Sequence, residues 1–319
     1  MDMKDTSNKF KEYVTAEYAI FITKYEELIS KRFTQTKKNV AQKAFENLLL
    51  SEIWISHCRS FDGIELLETL IDDDNLAEAT ELNQNFVGNL NSLLPDKIKN
   101  NQSFQSSLSK LLAFSSKGVG NGELLLPLLI KGWKKEDSHD GVLNDDVAEL
   151  KNFDGGSMKP TKSKTKKGHI DELNDRLFDG HPPVHSKDEH EKHLVVLNKI
   201  EDKKEIYLEY FSQILVKDKT EITDLVDNLL LNISDLDKCK RIYGQHVLKT
   251  YKEIDGFDII MLINPENGDM VSIKDFDNVP DTIEFAPKMI RRGDTQAVPD
   301  GYVNIKVKKI PKPRVKKKK

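Results

Sequence analysis

Apolar residues recur at helical spacing through residues 10–33 and 40–58, where Tyr18, Phe21, Ile22 and Tyr25, then Phe45, Leu48, Leu49, Ile53 and Trp54, mark one face of each segment. The spacing predicts two long helices, and an aromatic stripe of this kind is assigned to packing. Shorter periodic runs predict helices at residues 64–71, 76–94 and 103–114, with Pro95 breaking the chain between the last two. Residues 1–100 are therefore expected to form a helical N-terminal region.

The pattern changes in GVGNGELLLPLLIKGWKKEDSHDGVLNDDVAELK, which runs from Gly118 to Lys151. Gly118, Gly120 and Gly122 predict a turn ahead of Glu123, and Leu124, Leu125, Leu128 and Leu129 then follow at helical spacing. Pro127 implies that this helix begins late or is kinked, because an interior proline removes a backbone donor. Gly132 ends it, and residues 134–141 are polar enough to be a connecting loop. From Val142 onward a strand would point Val147, Glu149 and Lys151 to one face and Ala148 and Leu150 to the other. By themselves, Glu149 and Lys151 read as the wet side of a half-buried strand.

Beyond residue 190 the spacing predicts helices at 194–216, 222–231 and 236–251. The run FDIIMLIN at 257–264, the turn Pro265, Glu266, Asn267, Gly268 and a second apolar segment at 270–273 predict a hairpin. Strands at 282–285 and 302–307 are expected to complete the sheet begun at 142–151, which gives an α/β (α+β) fold with helices around a mixed sheet over residues 101–305.

Between these parts lies a flexible basic and histidine-rich insertion at about 154–190. Its lysines, Lys159, Lys162, Lys164, Lys166 and Lys167, suit either a phosphate clamp or an exposed linker. In GHPPVHSKDEHEKH, His190 and His193 are spaced to share a zinc ion on a helix starting near Lys187, but Pro182 and Pro183 interrupt the half that holds His181 and His185. No cysteine accompanies them, so solvated histidines are the expectation.

Charge and composition narrow the classes. The 319 residues carry a net charge of −4. Nine basic residues and no acids fall between Lys306 and Lys319, including Lys316 and Lys317, which leaves −13 on the rest. A proline-broken cationic tail at 306–319 is expected to be disordered and either to meet a polyanion or to act as a solubilising end. Arg291 and Arg292, in a loop between the late strands, are further candidates for phosphate contact. Cys58 and Cys239 belong to no paired motif, and Cys58 is expected to be a core or half-core thiol. Neither a membrane-spanning stretch nor a signal peptide is legible, which predicts no membrane partner and an intracellular site.

In chain order, the glycine turn with Glu123, the aspartates Asp140, Asp145 and Asp146, and the E-x-K of Glu149 and Lys151 resemble the PD-(D/E)xK nuclease-like (restriction-endonuclease-like) superfamily over residues 106–153. The resemblance implies a restriction-endonuclease-like core with Glu123, Asp140, Glu149 and Lys151 as catalytic residues. It makes Asp140 and Glu149 the ligands of Mg2+ or Mn2+, and DNA the substrate. Asp140 is preferred over Asp145 and Asp146, which leave little room for a strand and turn before Glu149. His139 stands where the family has a proline, and the stretch from Asp140 to Glu149 is short.

Three functions are weighed: a magnesium-dependent endonuclease, a non-catalytic DNA-binding or virion structural protein that retains the fold, and an interaction protein acting through its two charge blocks. The lysine- and asparagine-rich composition suits a large bacteriophage, so the expected location is the cytoplasm, of a host cell if viral, or the virion. A homo-oligomer or virion components are further expected partners.

Overall fold

The computed structural model describes residues 3–33, 40–117, 119–120, 122–135, 139–162, 169–288 and 301–308. The protein is mixed α/β and divides into two compact units, Met1–Asn152 with Phe257–Lys274 and Phe153–Gly256 with Asp275–Lys319. The helical N-terminal region and the candidate hairpin share the first unit.

Helices α1 (Met3–Arg32), α2 (Val40–Ser60) and α3 (Gly63–Ile71) open the chain. The expected aromatic stripe is packing: Phe21, Phe45, Leu49 and Ile53 are buried, and Trp54 meets Tyr18 and Phe21 edge-on at 4.8 and 4.9 Å between ring centres. His57 takes the inward position on α2 and leaves Cys58 exposed, so the expected core thiol is a surface one.

The helix expected at 76–94 does not form. That segment holds a short 3-10 turn, strand β1 (Phe86–Asn89) and the single turn α4 (Leu90–Leu93). Asn89 is the cause: its side chain caps Asn91 N at 2.9 Å and donates to Asn267 O and Asp269 Oδ1, contacts that hold its own backbone extended. Helices α5 (Asp96–Lys99), α6 (Gln102–Leu112) and α7 (Leu126–Leu129) follow, then strands β2 (Trp133–Lys134), β3 (Gly141–Leu143) and β4 (Asp146–Asn152). Lys134 is thus in a strand and not in the expected loop.

The second unit begins with β5 (Gly156–Met158) and continues through α8 (His169–Phe178), α9 (Lys187–Leu197), α10 (Lys203–Leu215), α11 (Thr223–Leu231) and α12 (Leu236–Asp255). The segment expected as a flexible insertion therefore contains regular structure. The helix expected at 194–216 is two helices, because Asp202 accepts from Glu205 N at 3.1 Å and starts a new one.

Strands β6 (Ile259–Ile263) and β7 (Asp269–Ile273) form the expected hairpin and return to the first unit. Its six-stranded sheet runs β1-β7-β6-β4-β3-β2, antiparallel except for the parallel β4–β6 pair. Every side chain of β6 is buried, as its central place and continuous apolar run require. Strands β8 (Ile283–Lys288) and β9 (Tyr302–Val307) exist as expected but do not join this sheet. With β5 they form a separate sheet ordered β5-β9-β8, since β9 finds partners in β8 and in Gly156–Met158. Lys306 and Val307, the first two residues of the expected tail, lie within β9, and residues 309–319 are outside those described.

Candidate active site

The site is built on the β3–β4 hairpin. A two-residue turn joins its strands, with Asn144 and Asp145 both left-handed at φ 49° and 76°, the combination that matches the twist of paired strands. So tight a connection is why ten residues suffice to reach from Asp140 to Glu149. Gly141 pairs with Ala148, and Asp140, the residue just before β3, lies at the open end of the hairpin toward Glu149 and Leu150. Gly141 has no room for a side chain, because a Cβ there would stand 2.4 Å from the Trp133 ring. The indole thereby packs on Gly141, the residue after Asp140.

Strand alternation is as expected: Ala148 and Leu150 are buried, while Glu149 and Lys151 project together with their side chains only 17 and 18% exposed. Lys151 Nζ lies 2.5 Å from Glu149 Oε1. Asp140 Oδ2 reaches across the hairpin to accept from Leu150 N at 2.7 Å. Burial raises the Asp140 carboxyl to about 6, with further contributions from the negative charges of Glu149 and Glu123. Those influences place the three acids in one electrostatic neighbourhood.

Glu123 does not stand in a regular helix. It occupies a turn closed by Leu125 and Leu126 N–H groups on Gly122 O, one turn before α7, whose start carries Pro127. The late helix start read from the proline is what occurs. Glu123 is buried, accepts from Gly120 N through Oε1, and presents Oε2 to Lys135 Nζ at 3.0 Å. That contact lacks hydrogen-bonding geometry, so Oε2 is a buried carboxylate oxygen held by charge alone. Lys135 also donates to His139 O at 2.9 Å.

Lys135 was missed in the sequence, where it reads as part of a polar loop. Its signal is the period-two pattern of buried Trp133, exposed Lys134 and half-buried Lys135. The alternative aspartates are engaged elsewhere: Asp145 forms the exposed turn, and Asp146 pairs with Lys274 at 2.5 Å.

The donor chemistry of Asp140 and Glu149 fits a hard divalent cation, which takes oxygen ligands and is commonly held by one or two carboxylates. Oε2 of buried Glu123 is already paired with the Lys135 ammonium at 3.0 Å. Among the described residues, no group of three or more His, Cys, Asp or Glu side chains is set to hold a metal ion.

The expected nucleic-acid contacts are less gathered. Lys159 pairs with Asp255 at 3.5 Å and lies 6.0 Å from the centre of the Tyr251 ring, and Lys162 is exposed. Lys164, Lys166, Lys167, Arg291, Arg292, Lys316 and Lys317 lie outside the described residues.

Two of the four clustered histidines are not solvated, whereas His181 and His185 are half-buried. His190 and His193 are buried on α9, in register with buried Leu197 at helical spacing. His190 Nε2 donates to Ile233 O at 2.7 Å, and His193 Nε2 is hydrogen-bonded to the Tyr207 hydroxyl at 2.5 Å. Burial, with smaller effects from His190 and His181, lowers His193 to about 3. His181 pairs with Glu189 at 3.0 Å. The His190 and His193 rings are core components of the second unit.

No protein-family model matches the chain, and no curated protein or solved structure matches it. Among the described residues no helix is long and apolar enough to cross a membrane.

Proposed function

We propose that this protein is a metal-dependent nuclease that hydrolyses DNA phosphodiester bonds with Mg2+ or Mn2+. The reading rests on one observation: two acids at the open end of a tight hairpin, Asp140 just before β3 and bonded to Leu150 N–H, and Glu149 on β4, with Lys151 beside Glu149 and buried Glu123 within their field. The PD-(D/E)xK resemblance and the antiparallel β2-β3-β4 meander flanked by parallel β6 support the same class.

Asp140 and Glu149 would hold the ion, which supplies an acidified water and charge neutralisation at the scissile phosphate. Lys151 would present its ammonium to the negative charge that develops on the phosphoryl oxygens, where a preplaced cation needs no reorganisation. Glu149 holds that lysine at 2.5 Å and so fixes its direction. The Leu150 N–H orients Asp140.

A second reading is a non-catalytic DNA-binding or virion structural protein with the same fold. Incubation of supercoiled DNA with Mg2+ separates the two. Cleavage that falls by ~10²-fold or more in Glu149→Ala and Lys151→Ala supports the nuclease. Salt-sensitive binding without cleavage supports the second reading.

A further inference from the structure

We infer that the site takes one divalent ion per chain and that Lys135 is a built-in counter-ion standing where a second ion would sit. The inference rests on the nuclease reading and adds its metal stoichiometry. Glu123 is the acid available to a second ion, yet its Oε2 faces the Lys135 ammonium at 3.0 Å. Both groups are enclosed, with side chains 6 and 14% exposed, so their attraction is screened far less than that of a surface pair. Lys135 is held from the other side by His139 O at 2.9 Å, which ties it to the residue preceding Asp140.

The charges agree with this reading. Glu123, Asp140 and Glu149 set against Lys135 and Lys151 leave one net negative charge. One divalent ion turns that to one net positive charge, suited to a phosphodiester. A second ion would leave three positive charges in a partly buried pocket, where like-charge repulsion is several-fold stronger than in water. The remaining donors, Asp140 and Glu149, stand together at the open end of the hairpin, where Asp140 Oδ2 accepts from Leu150 N–H next to Glu149.

Lys135 is in this account a positioning residue, acting through Glu123. The test is Mn2+ titration of the full chain, with free Mn2+ read by electron paramagnetic resonance, and no nucleic acid or turnover is involved. The wild type is expected to bind one Mn2+ per chain, Lys135→Met two, and the double variant Lys135→Met/Glu123→Gln one. Two ions on the wild type, or one on a folded Lys135→Met with unchanged affinity, would overturn the inference and leave the nuclease reading standing. No Mn2+ on the wild type would overturn both. If Lys135→Met does not fold, the wild-type count decides the matter alone, supported by Glu123→Gln, which is expected to keep one ion.

Discussion

Replacing Asp140 with asparagine should stabilise the metal-free protein while removing its metal affinity. Burial of the carboxyl, with the negative charges of Glu149 and Glu123 adding to it, raises it from 3.8 to about 6. A shift of that size means that ionised Asp140 costs the fold at most ~3 kcal/mol, and nearer ~2 kcal/mol because the residue is only partly buried. Asparagine keeps an oxygen for the Leu150 N–H and carries no charge. The favourable contribution of the protonated acid is complete below pH 3.8 and is lost as pH rises through about 6. Asp140→Asn should therefore match the wild type near pH 3.5 and exceed it at pH 8 by ~2 kcal/mol, or roughly 4–8 °C in Tm. The assay is urea and thermal unfolding in EDTA across this range, paired with Mg2+ titration. A variant less stable than wild type at pH 8, or an advantage that does not change with pH, would refute the reasoning and make Asp140 a structural cap.

Asp145→Gly should keep full cleavage activity and raise stability by ~0.5 kcal/mol, since glycine accepts the left-handed turn more readily and Asp145 lies outside the acid group; loss of cleavage would reassign the metal-binding aspartate. The second unit should be acid-sensitive: burial lowers His193 to about 3 and His246 to about 4, so their contribution is intact above pH 6.5 and is lost as pH falls toward those values. At pH 5 that amounts to as much as ~4 kcal/mol for the two together, measurable by denaturation and reduced by about half in His246→Gln. Gly244→Ala should cost ~1–3 kcal/mol, because a Cβ there would stand 2.1 Å from Phe285 Cγ where α12 packs on β8; unfolding midpoints unchanged within error would show that the ring can move.

The acids of the hairpin were legible because strand alternation is a local rule and because Glu149 and Lys151 flank buried Leu150. Asp140 could be ranked first from chain distance alone, while the turn that makes the distance workable depends on Asn144 and Asp145 adopting positive φ. Lys135 escaped notice because its meaning lies in an ion pair with Glu123, twelve positions earlier and across a turn. The segment 76–94 misled for a related reason. Its apolar spacing suits a helix, but Asn89 finds acceptors at the β6–β7 turn, which the local sequence does not announce. The strands near 283 and 302 were legible as strands, yet the sheet a strand joins is decided by distant partners, here Gly156–Met158. The histidines were misread because a polar residue with one protein acceptor per ring can be buried, and His190, His193 and Leu197 share one helical face.

The placement of the acids depends on more than the hairpin. Parallel strands require a long connection, and between β4 and β6 that connection is Phe153–Gly256 of the second unit. On its return the chain pins β4 at once: Asp258 N donates to Val147 O at 2.7 Å, and Val147 N donates to Asp258 Oδ2 at 3.1 Å. This double bond of residue to residue lies two positions before Glu149 and sets Glu149 against Ile260 and Lys151 against Leu262. A slip of one residue would turn Glu149 and Lys151 into the apolar layer now filled by Ala148 and Leu150, at a cost of several kcal/mol for the buried charges. Every charged group of the site lies between Glu123 and Lys151, yet the register that aims two of them is secured by a residue more than a hundred positions away.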